Sequence, residues 1–104
     1  VFQIKEYIRQ NFAVPTLSVL DISQYANRSS SYICTLFKNE TGQTINQYLT
    51  DYRIKMSKQF LSDPRYRITD ISAKVGYSDG NYFGKSFRKY SGLSPSEYRE
   101  KNLK

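Results

Sequence analysis

Apolar residues recur at helical spacing from the beginning of the chain. Ile4, Ile8 and Phe12 stand four positions apart, which predicts a short amphipathic helix that Pro15 closes off. Serine, proline and glycine signals divide the rest of the chain into further helices, which we expect near residues 18–26, 30–41, 43–61, 69–75 and 79–90 and from residue 94 onward. No strand is needed to account for this pattern, so the sequence predicts an all-α fold.

A short phrase from the first half of the chain returns in the second half. Asp21-Ile22-Ser23 recurs 49 residues later as Asp70-Ile71-Ser72. Five more residues return after 50 positions, which leaves one extra residue in the turn of the second copy. These residues are Tyr32, Phe37, Lys38, Gly42 and Tyr48, and they return as Tyr82, Phe87, Arg88, Gly92 and Tyr98. Each copy is a short helix, a tight turn and a longer helix, which is the helix-turn-helix plan.

Helical geometry separates two faces on the longer helix of each copy. The apolar face, which we expect to be core, consists of Ile33, Leu36 and Phe37 in the first copy and of Phe83, Phe87 and Tyr90 in the second. The opposite face consists of Ser31, Cys34, Thr35 and Lys38 in the first copy and of Asn81, Gly84, Lys85 and Arg88 in the second. Small residues at the helix start permit close approach to DNA, and the cations toward its end can contact phosphates. Such a face suits a helix that enters a major groove.

The predicted helix between the two copies is apolar on more than one side. Its main stripe consists of Ile45, Tyr48, Leu49, Tyr52, Met56 and Phe60, while Ile54 and Leu61 lie away from it. A helix that is apolar on two sides is buried on two sides, so we expect it to pack against both copies and to fix their separation. This divides the chain into a first unit over residues 1–42, a linker helix over 43–62 and a second unit over 63–104. For Arg53 on this helix, a phosphate contact and an intramolecular ion pair are both open.

The charge balance favours an anionic partner. Sixteen Lys and Arg residues against nine Asp and Glu residues give the chain of 104 residues a formal net charge of +7. Nucleic acid is the first choice of partner, and an acidic membrane surface is the second. The chain has no apolar run of about 18 residues and no signal-peptide pattern, so we expect a soluble, cytoplasmic domain with no membrane partner.

The residue inventory argues against catalysis and metal binding. The chain contains one cysteine, Cys34, and no histidine. It therefore lacks an internal disulfide, the usual zinc ligands and the commonest general base. A glycine-rich phosphate loop is also missing, so we expect neither an enzyme nor a bound cofactor. We interpret Cys34 as a small residue that faces the groove rather than as a redox sensor, because no second cysteine can resolve an oxidised thiol.

At these residues the sequence resembles the AraC/XylS family of bacterial transcription regulators. The resemblance extends from about Ile4 to Arg99. It is strongest in Asp70-Ile71-Ser72, Val75-Gly76-Tyr77-Ser78-Asp79, Tyr82-Phe83, Phe87-Arg88, Gly92-Leu93-Ser94-Pro95 and Tyr98-Arg99. The resemblance implies seven helices in which two helix-turn-helix subdomains are joined by a long central helix. It also implies sequence-specific binding of double-stranded promoter DNA, and a missing N-terminal sensory or receiver domain, as in a response regulator.

The family's base-reading positions fall on the outward face of each longer helix. The resemblance assigns them to Ser30, Ser31, Cys34 and Thr35 in the first unit and to Gly80, Asn81, Gly84 and Lys85 in the second. Asn81 can pair with adenine and Lys85 with guanine, whereas the hydroxyls of Ser31 and Thr35 fit several bases. We therefore expect the first unit to read DNA shape and thymine methyl groups more than hydrogen-bond patterns. Positions where the family usually has alanine are occupied by Ser23, Ser57 and Ser72.

Two other classes of function compete with this interpretation. A protein-interaction module, such as one that contacts RNA polymerase, explains the helices but not the paired basic faces. A nonspecific architectural or RNA-binding protein explains the charge but not the two tight-turn motifs. The sequence leaves open the operator, the target genes, the inducing signal, the choice between activation and repression, and the oligomeric state.

Overall fold

The computed structural model describes residues 1–102, and within them the chain forms seven α-helices and no strand. The helices are α1 (Phe2–Asn11), α2 (Val19–Ala26), α3 (Ser30–Thr41), α4 (Ile45–Leu61), α5 (Ile68–Lys74), α6 (Gly80–Ser91) and α7 (Pro95–Asn102). The expected all-α fold of seven helices is confirmed. Residues 103 and 104, which the sequence places in the second unit, lie outside the described residues.

Reciprocal side-chain caps mark the starts of α2 and α4. At α2, the amide of Asp21 donates to Oγ of Ser18 at 3.3 Å, and the amide of Ser18 donates to the Asp21 carboxylate at 3.0 Å. The same reciprocal pair opens α4, where Gln47 N donates to Thr44 Oγ1 at 3.0 Å and Thr44 N donates to Gln47 Oε1 at 2.9 Å. The expected start of α4 is therefore wrong by two residues, because Thr44 caps the helix instead of lying inside it.

The buried apolar side chains form two clusters. The first cluster, from α1 to α3 and the start of α4, contains Ile4, Ile8, Ile22, Ile33, Phe37, Ile45 and Leu49. The second cluster, from the rest of α4 through α6, contains Ile54, Leu61, Ile71, Val75, Tyr77, Phe83 and Phe87. Full burial of one such apolar side chain contributes about 1.5–3 kcal/mol. Because α4 supplies residues to both clusters, the expectation that it is buried against both helix-turn-helix units is confirmed.

The repeat extends to the helices that support each unit. Phe37 packs edge-on against Tyr48, with ring centroids 5.5 Å apart and ring planes at 73°. Phe87 packs in the same way against Tyr98, at 5.5 Å and 76°. Since Tyr48 belongs to α4 and Tyr98 to α7, the first half of α4 supports the first unit as α7 supports the second.

The second half of α4 packs on the second unit as α1 packs on the first. Lys5 of α1 places its Nζ 5.5 Å from the ring centroid of Tyr48. Lys58 of α4 places its Nζ 5.8 Å from the ring centroid of Tyr98. The central helix is therefore shared, because it closes the first unit and opens the second.

The two longer helices of the repeat, α3 and α6, end in the same way. Gly42 and Gly92 adopt left-handed backbone conformations, with φ of +78° and +83°. One residue earlier, the hydroxyls of Thr41 and Ser91 each donate to a phenylalanine carbonyl four residues back, both at 2.7 Å. The repeated glycines thus mark two matched helix ends.

Three buried serines lie within helices. Ser23, Ser57 and Ser72 each donate to the carbonyl three residues earlier, at 2.8, 2.7 and 3.0 Å respectively. A hydrogen bond inside the helix removes most of the cost of burying a hydroxyl group. Serine therefore fits these small-residue positions without a polar partner from another helix.

The molecule is elongated, with principal extents of 45 × 22 × 21 Å. This shape follows from two clusters that share one helix. Within residues 1–102, no helix combines the length and the apolar character needed to cross a lipid bilayer.

Candidate nucleic-acid interface

The outward face of α3 is set by the side chains that hold its other face in the core. Ile33 and Phe37 are 1% and 0% exposed. Ser29 caps the helix, and its Oγ accepts a hydrogen bond from the amide of Tyr32 at 3.1 Å. Of the predicted DNA-facing residues, Ser31, Cys34, Thr35 and Lys38 are exposed and Ser30 is half-buried.

The outward face of α6 is set in the same way. Phe83 and Phe87 are 1% and 0% exposed. Asp79 caps the helix, and its Oδ1 accepts a hydrogen bond from the amide of Asn81 at 2.9 Å. Of the predicted DNA-facing residues, Gly80, Asn81, Lys85 and Arg88 are exposed and Gly84 is half-buried. Both helices therefore present the same outward positions to solvent.

Tyr90 does not belong to the core face of α6. Its side chain is 43% exposed, and the Nζ of Lys89 lies 5.9 Å from its ring centroid. The expectation that Tyr90 is core is therefore wrong. The matching position in the first copy is Glu40, which is also exposed, so the register of the repeat places this position at the surface.

Both outward faces border hollows in the molecular surface. A hollow of about 470 Å³ lies beside Ser31 and Thr35. Another, of about 390 Å³, lies at the start of α6, where Gly80 and Asn81 face residues of α5 and α7. A Cβ added at Gly84 meets nothing within 4 Å, so internal packing does not require glycine there. The α6 face is consequently open to the close approach of another surface.

The cations at the ends of these faces have internal partners that are weak. Lys38 Nζ donates to the carbonyl of Gly42 at 3.2 Å. Arg88 Nη1 lies 3.5 Å from Oε1 of Glu97 in an exposed ion pair. Hydrogen bonds from the amide and hydroxyl of Ser94, more than the Arg88 charge, lower the pKa of Glu97. Because exposed ion pairs contribute little, Arg88 can exchange Glu97 for a phosphate at small cost.

Two exposed tyrosines that carry no predicted role lie beside the predicted contact residues. Tyr32 and Tyr82 are 53% and 62% exposed. The guanidinium of Arg28 lies 5.7 Å from the ring centroid of Tyr32, and the rings of Tyr82 and Tyr77 are 5.8 Å apart. The repeat already contains this tyrosine pair, and its position early in each longer helix, off the apolar face, is the signal that could have marked it as a surface pair.

Arg53 makes a contact that the sequence did not suggest. Its Nε donates to the carbonyl of Phe12 and its Nη2 to the carbonyl of Val14, both at 2.9 Å. Its guanidinium also lies 5.7 Å from the ring centroid of Tyr77. The ion pair considered for Arg53 is wrong, because backbone carbonyls rather than a carboxylate take these donors. These two bonds do not involve Nη1 of the guanidinium, so a phosphate contact by Arg53 stays a prediction.

The chemistry of the two faces is that of hydrogen bonding and charge. Cys34 is an exposed free thiol. Among residues 1–102, no group of three or more His, Cys, Asp or Glu side chains is arranged to hold a metal ion. The faces instead offer hydroxyl, amide, ammonium and guanidinium groups, which are the groups that contact base edges and phosphates.

Comparison with known sequences agrees with the two helix-turn-helix units of the fold. The family described as "Helix-turn-helix domain" matches residues 22–101. The Msm operon regulatory protein of Streptococcus mutans is 37% identical over 100 residues, which are 96% of this chain and 36% of that protein. The chain spans between 34% and 38% of the length of the first curated relatives that it matches.

Comparison with solved structures agrees with the sequence match. The C-terminal domain of AraT, a response regulator from Geobacillus stearothermophilus, is 27% identical with a TM-score of 0.96, and the match covers 99% of this chain and 85% of that one. The DNA-binding domain of AdpA, in complex with a target DNA, has the same fold at 19% identity and a TM-score of 0.89, over 96% of this chain and 89% of that one. The match over residues 22–101, together with the two copied helix-turn-helix units, shows that this chain belongs to the AraC-type helix-turn-helix family of transcription regulators.

Proposed function

We propose that this chain is a sequence-specific DNA-binding domain of a bacterial transcription regulator. In this proposal α3 and α6 enter successive major grooves of one promoter site. The observation that carries it is the repeated outward face. Two helices of 12 residues each are capped, ended and supported alike, and each presents small or polar side chains followed by a cation. One such face is often only a solvated surface. Two such faces, on two helices that are held by one shared central helix, are typical of a DNA-binding domain.

The dimensions of the molecule support two grooves for one domain. Successive major grooves on one side of B-DNA lie roughly 34 Å apart. The long extent of the domain is 45 Å, so a single copy of the chain is long enough to reach both. The formal charge of +7 supplies the attraction to phosphates that any such complex needs.

The residues of each face take different parts in the proposal. Asn81 and Lys85 contact base edges in the half of the site read by α6. The shorter side chains of α3 contact thymine methyl groups and groove walls, and these residues are Ser30, Ser31, Cys34 and Thr35. Gly80 and Gly84 let the backbone of α6 approach the bases. Lys38 and Arg88 neutralise phosphates.

A binding experiment on selected DNA tests the proposal. Sites are enriched from a random pool of duplexes, and fluorescence anisotropy then compares the enriched site with its scrambled sequence at a stated salt concentration. We expect the enriched site to bind about 10³-fold or more tightly than the scrambled one. Equal affinities would indicate a nonspecific architectural protein, and tighter binding of single-stranded or duplex RNA would indicate an RNA-binding protein. No binding to any nucleic acid would leave the protein-interaction module.

A double variant sharpens the same experiment. Replacing both Asn81 and Lys85 by alanine removes the two base-contacting groups proposed for α6. We expect this variant to bind enriched and scrambled DNA with nearly equal affinity. A matched control replaces Asn46 and Lys55, an exposed amide and an exposed ammonium on α4, and we expect it to keep the preference of the parent protein.

The place of this domain in a longer protein is also part of the proposal. The curated relatives are nearly three times as long as the matched segment, and one matched structure is described as the C-terminal domain of a response regulator. We therefore infer that a sensory or receiver domain accompanies this domain in the full-length protein, and that the protein acts in the cytoplasm, where bacterial promoters are. The division into units 1–42, 43–62 and 63–104 and a contact with RNA polymerase stay predictions.

A further inference from the structure

The two helix-turn-helix units meet at a junction beside the middle of α4. Phe12, the residue that follows α1, packs against both apolar clusters. Its ring lies edge-on to that of Tyr52, with centroids 5.1 Å apart. The junction is defined here as Phe12 and Val14 from the first unit, Arg53 from α4, and Gly76 and Tyr77 from the turn of the second unit.

Arg53 binds the first unit through two backbone carbonyls. Its hydrogen bonds to Phe12 and Val14 reach back 41 and 39 positions along the chain, to the loop between α1 and α2. The guanidinium is half-buried at this point. A planar group with several fixed donors can satisfy two carbonyls at once, which the single ammonium of lysine does less well.

The same guanidinium also contacts the second unit. It lies 5.7 Å from the ring centroid of Tyr77, which is buried. The neighbouring Gly76 has φ of +92°, and a Cβ there would lie 2.2 Å from the carbonyl oxygen of Phe12 and 2.8 Å from Nε of Arg53. The turn that carries Gly76 and Tyr77 leads to Asp79, the cap of α6. Arg53 therefore contacts the loop between α1 and α2 in the first unit and the turn that leads into α6 in the second unit.

We propose that Arg53 is a positioning residue that sets the separation and orientation of α3 and α6. Through these two reading helices it also sets the spacing that the domain accepts between the two half-boxes, which are the DNA segments contacted by α3 and by α6. This inference rests on the proposed function for its consequence in DNA binding. A junction held in one arrangement presents both reading helices in register, so the second box binds at little additional cost. A loosened junction presents a range of arrangements, so it tolerates several spacings and binds each one less well.

A distance measurement without DNA tests the junction itself. Cys34 is the sole cysteine and is exposed on α3, so Lys89→Cys adds a second spin-label site on α6. In the Lys89→Cys protein labelled at both cysteines, we expect double electron–electron resonance to give one narrow distribution of distances between the labels. After the further change Arg53→Met we expect a broader or shifted distribution. Lys55→Met removes an exposed charge from the same helix and should leave the distribution narrow. An unchanged distribution after Arg53→Met would overturn the proposal, whatever the protein does with DNA.

A spacing series tests the consequence for binding. Unlabelled proteins are titrated against the enriched site and against duplexes with one or two base pairs added or removed between the boxes. For the parent and for Lys55→Met we expect a sharp optimum. For Arg53→Met we expect roughly tenfold weaker binding at the optimum, a flatter profile, and unchanged affinity for a single box.

The outcomes of the two experiments separate the proposals. If Arg53→Met loses affinity equally at every spacing, or loses as much affinity for the single box, Arg53 is a DNA contact or a folding residue. Either result would overturn the inference. Failure of every protein to prefer the enriched site would reject the proposed function, while the distance measurement would still decide the junction. Circular dichroism checks folding, and if Arg53→Met does not fold, Arg53→Lys keeps the charge and should show the same broadening to a smaller degree. A narrow distribution in a folded Arg53→Lys with a flat binding profile would also overturn the inference.

Discussion

Asn81 carries the most specific hydrogen-bonding group on either outward face. A carboxamide has a donor and an acceptor side by side, which match N7 and N6 of adenine in the major groove. On α3 the corresponding groups are the hydroxyls of Ser31 and Thr35 and the thiol of Cys34, which accept or donate to several bases. We therefore expect the two halves of the site to be read unequally, with α6 supplying more of the base discrimination.

Asn81→Ala should reduce base discrimination in one half of the site. We expect a loss of about 1–3 kcal/mol at one or two base positions, because a bidentate contact is removed while phosphate contacts stay. Anisotropy titrations against every single-base variant of the enriched site measure this loss. Asn102→Ala removes an exposed amide at the far end of α7 and serves as the control. If Asn81→Ala weakens all sequences equally, Asn81 contacts the backbone of DNA instead.

Arg88→Ala should weaken specific and scrambled DNA by about the same factor. The reason is that Arg88 is proposed to neutralise one phosphate, so its loss also flattens the slope of log affinity against log salt by about one unit. Titrations at several salt concentrations give the slope. Arg65→Ala is the matched control, because Arg65 is equally an exposed arginine paired with an acid, Asp63, at 2.7 Å. An unchanged slope after Arg88→Ala would remove Arg88 from the interface.

At the scale of the helices, the glycines that end α3 and α6 differ in backbone conformation from Gly84 on the outward face of α6. Gly42 and Gly92 end α3 and α6 with positive φ, a conformation that costs other residues energy. Gly84 lies inside α6 without a positive φ, and a Cβ there has open space. Glycine at position 84 therefore lowers the stability of the helix relative to alanine, and packing within the domain does not require it.

Substitution of these glycines by alanine should have effects of opposite sign. We expect Gly42→Ala and Gly92→Ala each to lower the free energy of unfolding by about 1–2 kcal/mol, because a left-handed conformation is strained for alanine. Gly84→Ala should raise it by about 0.5–1 kcal/mol, because alanine favours the helix interior. Urea denaturation followed by circular dichroism measures all three. A loss of stability for Gly84→Ala would contradict the open surface at that position.

Helix boundaries could be predicted from the sequence because their signals are local. Ser18 with Asp21, and Gly42 and Gly92, each act within one turn of helix, and the structure places the helix ends there. The start of α4 lies two residues later than expected, although Thr44 and Gln47 have the spacing of a capping box, so this boundary too has a local sequence signal. Local chemistry thus specifies the elements to within a turn or better.

Contacts between the units could not be predicted in the same way. Arg53 binds carbonyl groups, which every residue possesses, so no residue type in the sequence marks its partners. Tyr90 was misplaced because a helical projection judges an aromatic by its own helix and ignores whether another helix covers it. The outward positions of α3 and α6 were placed correctly, since exposure there follows from the burial of neighbours one turn away. Which of them contact DNA stays a prediction.

At the scale of the whole molecule, the shared central helix decides what the domain can reach. α4 has 17 residues, so its axis is roughly 26 Å long at about 1.5 Å per residue. Its two halves lie in different apolar clusters, and bending it would expose one of them. The two reading helices are thus held by a stiff support rather than by a flexible tether.

The spacing of the two half-boxes should therefore matter in units of the DNA helical turn. Inserting about five base pairs turns one box to the far side of the duplex, so we expect binding to fall to that of a single box. Inserting about ten base pairs restores the facing but separates the boxes by roughly 68 Å. The domain is 45 Å long, so binding should stay weak there, and it should stay weak even in Arg53→Met, because α4 remains one continuous helix. Gel-shift titration on the three spacings, with a single-box duplex as the reference, measures this, and recovery at ten added base pairs would mean that the two units move independently.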